Sequence, residues 1–403
     1  SHAPGRVANI MADYSPEQTL DDFEAKGLPL RRVGDGWYPA SLRAESVLLV
    51  LQKRLDRAKA LVRTDCRLID FRKIDSQIEI TLLATNTSDP QTERIQTRSL
   101  LLAGGGKAQP ALGSDGSLIQ LLGDKNLSFT PMCAALDSFQ LEDYPKRLQG
   151  TRIRAGLAVA EPSRGRILGV EAGEVLFNKS GLSGIPVMQL SAACAGALQC
   201  YPDAQLDVLE FRGLLSDTAT ETLAGQAGED WRFAWSARIP EAYAFGKKIF
   251  SAAQSPLWAF LDLLPQLSSG ETDAWWHKQL TAFAGDAEAA LQAFLPKELA
   301  LCVANVRARL GEHKLPSLLR ALPWPVAALS GWDQAQVMAG GLDFANFADQ
   351  TLELKAFPGV FAAGELLDVH GDCGGYNLQW AWSSAAKAAD DILAYLERDG
   401  GSS

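Results

Sequence analysis

The sequence predicts an α/β fold in which short buried strands end in glycine-rich loops facing a ligand, and two stretches carry that reading. Gly359–Ala385 (GVFAAGELLDVHGDCGGYNLQWAWSSA) runs through an apolar strand, Gly364-Glu365, a loop, Gly374-Gly375 and a helix start. A carboxylate at a strand's carboxyl end can accept hydrogen bonds from sugar or ribityl hydroxyls. Glycines let backbone approach a flat ring, and a helix N-terminus offers free N–H groups to an electron-rich edge. Earlier in the chain, Ser99–Ala103 (SLLLA) is continuously apolar and runs into Gly104-Gly105-Gly106, as buried parallel strands do where a ligand approaches their ends. No GxGxxG occurs anywhere in the sequence.

The elements follow in order. Ser15–Lys26 is expected as a helix, with Ser15 as N-cap, Glu17-Gln18 in the first turn and Gly27 after its end. Arg43–Leu61 carries Val47, Leu48, Val50, Leu51, Leu55 and Ala58 at helical spacing. Val62–Lys73, Gln77–Leu83 and Arg94–Leu102 read as strands, the last two split by the turn-forming Asn86–Gln91. Arg152–Val159 and Gly173–Phe177 read as antiparallel strands, and Gly181–Pro186 leads into a helix over Val187–Leu198. From Val208 to Ala321 the pattern is mostly helical, over Asp217–Ala224, Trp258–Leu264, Ala274–Ala284, Asp286–Phe294, Lys297–Leu310 and Ser317–Ala321, punctuated by Pro and Gly. Trp324–Ser330 returns to strand character.

Composition narrows the function classes. The 403 residues, 47% hydrophobic and 21% charged, suit two or three globular domains. A net charge of -10 without a basic cluster disfavours nucleic acid as a partner. No apolar run approaches the ~20 residues that cross a bilayer, and the N-terminus lacks the pattern of a signal peptide, so no membrane partner and a cytoplasmic location are the default expectations. The six cysteines form no C-x-x-C pair and read as reduced, mostly buried residues; with four histidines in all, no metal site is expected.

Four ordered blocks carry a family resemblance: Leu100–Gly116 (LLLAGGGKAQPALGSDG), Leu176–Ser191 (LFNKSGLSGIPVMQLS), Asp333–Asp343 (DQAQVMAGGLD) and Ala362–Ser384 (AAGELLDVHGDCGGYNLQWAWSS). Together they resemble the aminoacetone-oxidase-like, or BaiN-type, family of NAD(P)/FAD-dependent oxidoreductases, from about Tyr14 to the end and including Trp37–Val47 (WYPASLRAESV). The resemblance implies an α/β class with a discontinuous Rossmann-like FAD-binding domain (1–127 and 341–403), an inserted β-barrel-like domain (128–207, returning at 322–340) and a helical domain (208–321). It also implies an opening strand–GxGxxG–helix unit and an acid-tipped second strand, which should precede residue 1. Without them most contacts to the ADP half of FAD are missing, and strands 99–103 and 359–363 are expected to show open edges or uncovered apolar faces, a route to pairing with a second copy. Gly5–Asn9 (GRVAN) echoes the family's GRCN-type segment without its cysteine and is assigned no role.

The expected cofactor contacts are Gly104, Gly105, Gly106, Gly364, Glu365, Gly374, Gly375, Tyr376, Asn377, Leu378 and Gln379, with backbone N–H groups of residues 377–379 beside the pyrimidine edge. Trp380 and Trp382 read as packing residues. Gly113–Gly116 fits a turn as well as a ligand loop, and Gly181–Gly184 fits either a flavin-facing helix start or a domain junction. Asp368, His370 and Tyr376 can exchange protons, His370 nearest neutrality; the competing reading is loop residues satisfied by backbone. The expected function is an FAD-dependent oxidoreductase of a small or medium organic substrate, by amine oxidation or by reduction of an oxo or unsaturated compound. Its rival is a cofactor-deficient scaffold that binds or assembles. With no second dinucleotide fingerprint, NAD(P)H as electron donor stays open.

Overall fold

The computed structural model describes residues 1–34, 36–85, 91–195, 197–198, 231–311 and 314–400. It forms two compact units, Ser1–Met132 with Val337–Ser403, and Cys133–Gln336. The expected helix Asp217–Ala224, Cys200 and nearly all of the expected turn Asn86–Gln91 lie outside the described residues.

The first unit opens with helices α1 (Pro4–Asp13) and α2 (Pro16–Ala25). Ser15 caps α2 as expected: its hydroxyl accepts the Gln18 N–H while Gln18 Oε1 accepts the Ser15 N–H at 2.7 Å, a reciprocal capping box. An antiparallel hairpin, β1 (Leu30–Val33) and β2 (Gly36–Pro39), precedes α3 (Ala44–Arg57). The helix expected to reach Leu61 stops at Arg57, and none of its residues is buried. The meander is present as β3 (Cys66–Ile74), β4 (Gln77–Ala84) and β5 (Thr92–Thr97), all antiparallel. The single strand expected over Arg94–Leu102 divides: β5 stays with the meander, and β6 (Leu100–Leu102) finds a parallel partner from the end of the chain. Helix α4 (Ser117–Asp124) follows.

The second unit contains β7 (Cys133–Ala135), β8 (Phe139–Leu141), β9 (Arg152–Glu161), β10 (Arg166–Phe177), β11 (Gly181–Ser183), α5 (Ile185–Ala195), α6 (Trp231–Ile249) and β12 (Trp258–Asp262). It continues through α7 (Ser269–Ala282), α8 (Ala287–Gln292), α9 (Lys297–Leu310), α10 (Leu315–Arg320) and β13 (Leu322–Leu329). Strands β10-β11-β8-β13-β12-β9 close into a barrel. Its strands bury Phe139, Phe177, Trp258, Phe260 and Trp324, each at most 1% exposed, with Trp324 on the opposite face of the sheet from Trp258 and Phe260.

One expected helix is overturned here. Trp258–Leu264 is not helical: Trp258–Asp262 is the barrel strand β12, paired antiparallel on both sides with β9 and β13. A strand buried on both faces loses the alternation that marks a strand, and its unbroken apolar run cannot be told from a buried helix by period. Strand β10 is also longer than the expected Gly173–Phe177 and contains Gly169, where a Cβ would lie 2.6 Å from Leu190 Cδ2 on α5. That glycine marks a close approach, not a break.

The first unit closes with β14 (Val337–Ala339), β15 (Val360–Ala362) and the long helix α11 (Gly374–Gly400). Strands β6 and β15 pair in parallel, Val360 with Leu100 and Ala362 with Leu102. Strand β15 is fully buried, whereas Leu101 on β6 is 38% exposed. Among the described residues no helix is long and apolar enough to cross a membrane.

Candidate functional site

The parallel pair positions the site. Both strands end at the same edge, so Gly104–Gly106 after β6 and Gly364–Leu366 after β15 emerge side by side. The two loops are joined by Glu365, whose Oε1 accepts the Met338 N–H at 2.7 Å and whose carboxylate also accepts the Gly106 N–H. Burial pushes its carboxyl above the usual range, and these two donors pull the other way. Two backbone donors fill only part of a carboxylate's accepting capacity, and hydroxyl partners can take the rest.

The glycines are there for different reasons. A Cβ on Gly104 would lie 2.7 Å from Leu118 Cδ2 and one on Gly106 2.9 Å from the Met338 side chain, so both allow internal packing. Gly364, at φ +74°, has nothing within 4 Å of where a Cβ would point; its constraint is the left-handed backbone, and the space beside it is open. Its N–H donates to Ser384 Oγ at 2.9 Å, and Trp380 Nε1 donates to its carbonyl at 3.0 Å. Trp380 thus packs, as expected, and Trp382 meets Phe23 edge to face at 5.3 Å.

Helix α11 begins at Gly374, so the free N–H groups of its first turn are those of Gly374, Gly375, Tyr376 and Asn377. This moves the donors about one turn earlier than the expected 377–379: the Leu378 and Gln379 N–H groups fall inside the helical ladder. The Asn377 side chain instead staples the preceding loop. It accepts the Gly371 N–H at 3.0 Å and donates to the carbonyls of Gly371 and Cys373 at 3.0 and 2.8 Å. Gln379 turns toward the chain's first helices, donating to Thr19 Oγ1 at 2.8 Å and to the Tyr14 carbonyl at 3.3 Å. Tyr376 and Leu378 present 62% and 58% of their surface.

Gly113 and Gly116 both have positive φ and flank a one-turn helix and the start of α4, which favours the turn reading for Gly113–Gly116. Ser114 Oγ within that turn is nevertheless buried without a protein partner. Gly181–Gly184 forms β11 and the entry to α5 in the second unit. No disulfide joins the described cysteines, and among the described residues no group of three or more His, Cys, Asp or Glu could hold a metal ion.

Two features escaped sequence reasoning. Gly5–Asn9 lies in α1, and its Arg6 is an anchor: the guanidinium donates to the carbonyls of Ala348 at 2.7 Å, Thr351 and Phe344, and lies over the Phe344 ring at 5.3 Å. The GRVAN echo was the available signal. Asp368 is 2% exposed and accepts both the backbone N–H and Nδ1 of His2 at 2.8 Å, a partner too distant in sequence for spacing to reveal. His370 Nδ1 is buried without a partner, and desolvation, the largest influence, pushes the ring down to about 4.

These features fit the ring and ribityl half of a flavin. The open space at Gly364, the unpaired Ser114 Oγ and His370 Nδ1, the spare accepting capacity of Glu365 and the free donors of α11 supply what that half needs. The sequence contains no GxGxxG motif.

The model of the HI0933-like protein Rossmann domain matches residues 1–391. The chain belongs to the HI0933-like family. Among relatives of this HI0933-like chain, a 3-dehydro-bile acid delta(4,6)-reductase of Clostridium scindens is 28% identical over 94% of the chain and 81% of the relative. A ribosomal RNA dihydrouridine synthase of Escherichia coli is 26% identical over 76% of the chain and 64% of its own length. Its namesake in Haemophilus influenzae is 23% identical over 97% and 83%. Family and bile-acid reductase relative together support an α/β oxidoreductase of the BaiN type.

Proposed function

We propose that this HI0933-like chain is a flavin-dependent oxidoreductase that uses FAD to reduce a C=C bond conjugated to a carbonyl in a small or medium organic compound. The observation that carries this reading is the pair of parallel-strand loops joined by Glu365, with helix α11 beginning at Gly374 downstream of the second loop. Flavin, when bound, supplies hydride chemistry; the chain's own residues hold the ring edge, accept the ribityl hydroxyls and orient the substrate. The relatives bear on direction, since one is named for reduction at the delta(4,6) position of a bile acid and the others for making dihydrouridine. A net charge of -10 speaks for a small molecule over ribosomal RNA as the substrate.

The purified chain, incubated with FAD and desalted, should retain a yellow chromophore with bands near about 370 and 450 nm that bleach with dithionite. Retention of the colour with NAD(P)H bleaching identifies the electron donor. A chain that stays colourless at every FAD concentration overturns the reading in favour of a binding scaffold. Hydrogen peroxide formed from amines, with no consumption of enones, would turn the assignment to amine oxidation.

A further inference from the structure

Ser114 lies in the Gly113–Gly116 turn, which keeps its shape without the serine hydroxyl. Gly113 and Gly116 supply left-handed backbone at φ +104° and +78°. Asp115 Oδ1 accepts the Ser117 N–H at 3.0 Å, and Asp115 Oδ2 accepts from Arg67 Nη2 of β3 at 2.8 Å. Ser114 Oγ takes no part in these contacts and is buried with no hydrogen-bond partner. A hydroxyl taken out of water costs the fold its desolvation until some partner replaces the water.

That hydroxyl borders the Glu365 loops. The heavy atoms nearest to where a Gly105 Cβ would stand are Ser114 Oγ at 2.8 Å, Glu365 Oε2 at 3.6 Å and Ser114 Cβ at 3.8 Å. Gly105, at φ +70°, therefore has both a backbone that favours glycine and a flank on which a side chain would press against the two oxygens. Glu365 is fastened through its other oxygen: Oε1 accepts the Met338 N–H at 2.7 Å, and the carboxylate also accepts the Gly106 N–H, which leaves part of its accepting capacity unused.

The two groups offer different halves of a hydrogen-bonding pair. An ionised carboxylate only accepts, whereas a serine hydroxyl can donate. An alcohol held by both donates to Glu365 while accepting from Ser114. A carbonyl or an ionised phosphate oxygen has no hydrogen to give and meets the carboxylate as acceptor against acceptor. Flavin carries alcohols on its ribityl chain and none on its ring.

We propose that Ser114 and Glu365 form a two-sided clamp on one ribityl hydroxyl, with Ser114 Oγ as donor, Glu365 Oε2 as acceptor and Gly105 as the residue that keeps a side chain from standing between them. The proposal rests on the flavin reading above and names the part of the cofactor that this edge of the site recognises.

Binding of riboflavin and of lumiflavin to the full chain, followed by flavin fluorescence, tests it, because lumiflavin has a methyl group in place of the ribityl chain. Ser114→Ala should weaken riboflavin about 3- to 10-fold, the loss of one neutral hydrogen bond, and leave lumiflavin unchanged. Of the riboflavin analogues that each lack one ribityl hydroxyl, one should bind the unmodified chain at least about 10-fold more weakly than riboflavin and should lose nothing further in Ser114→Ala. Equal losses of riboflavin and lumiflavin assign Ser114 to the shape of the turn and overturn the clamp. Riboflavin affinity indifferent to Ser114→Ala, or analogues that all match riboflavin, overturn it as well; in each of these cases uptake of flavin leaves the flavin reading standing. An unmodified chain that binds neither flavin sinks that reading and the clamp together.

Discussion

His370 is a side chain whose behaviour its environment dictates. Its imidazole lies in a loop that offers Nδ1 no partner, and burial pushes its titration from near neutrality down to about 4. The folded state therefore stays neutral where an unfolded chain takes up a proton. Above about pH 6.5 both states are neutral and the protein keeps its full stability. As pH falls from there toward 4, the unfolded state binds the extra proton and stability declines, by roughly 1–2 kcal/mol at about pH 5. Urea unfolding at neutral and mildly acidic pH measures this, and His370→Gln should remove that part of the decline. Glu365 is the opposite case: spacing at a strand end pointed to it from sequence, yet no pattern revealed that backbone N–H groups of Met338 and Gly106 would be among its partners.

Secondary structure was most legible where local chemistry decides it. Helix α2 follows from Ser15, Gln18 and Gly27, and the capping box that the structure shows is a purely local device. Ser15→Ala should cost about 1 kcal/mol and lower the midpoint of thermal unfolding, with no change in flavin uptake. Helix α9 likewise spans the expected Lys297–Leu310, bounded by Pro296 and Gly311. Strand β12 shows the limit: Trp258–Asp262 is buried on every side, so its sequence lost the period that would have marked it as a strand, and only pairing with β9 and β13 chose its conformation. Helix α3 is amphipathic in sequence yet buries none of its residues, leaving Leu48 and Leu49 more than half exposed.

For the molecule as a whole, each unit has its own centre of cohesion. In the barrel unit that centre includes charge: Asp262, 3% exposed, meets Arg238 Nη1 and Arg320 Nη2 at 3.1 Å each and accepts the Leu264 N–H at 2.9 Å. Burial pushes its carboxyl up to about 6 against the pull of both guanidiniums. Removing the carboxylate takes the shared counter-charge from two mostly buried guanidiniums, although Arg320 keeps the Leu264 carbonyl as an acceptor, so Asp262→Ala should cost about 3–5 kcal/mol in equilibrium unfolding. In the first unit, cohesion runs through polar staples to helix α11, from Tyr14 and Thr19 to Gln379 and Ser383.

The sequence by itself determined the α/β class, the two glycine-rich strand ends and the family, because strand–glycine–helix chemistry is local and survives in short ordered blocks. Only the tertiary structure decided that β6 pairs with β15, that Glu365 bridges their loops to Met338, and that His2 reaches Asp368. Each of those contacts joins residues far apart along the chain. Distance in sequence leaves no periodicity to read, and a hydrogen bond between such partners exists only once the intervening chain has folded.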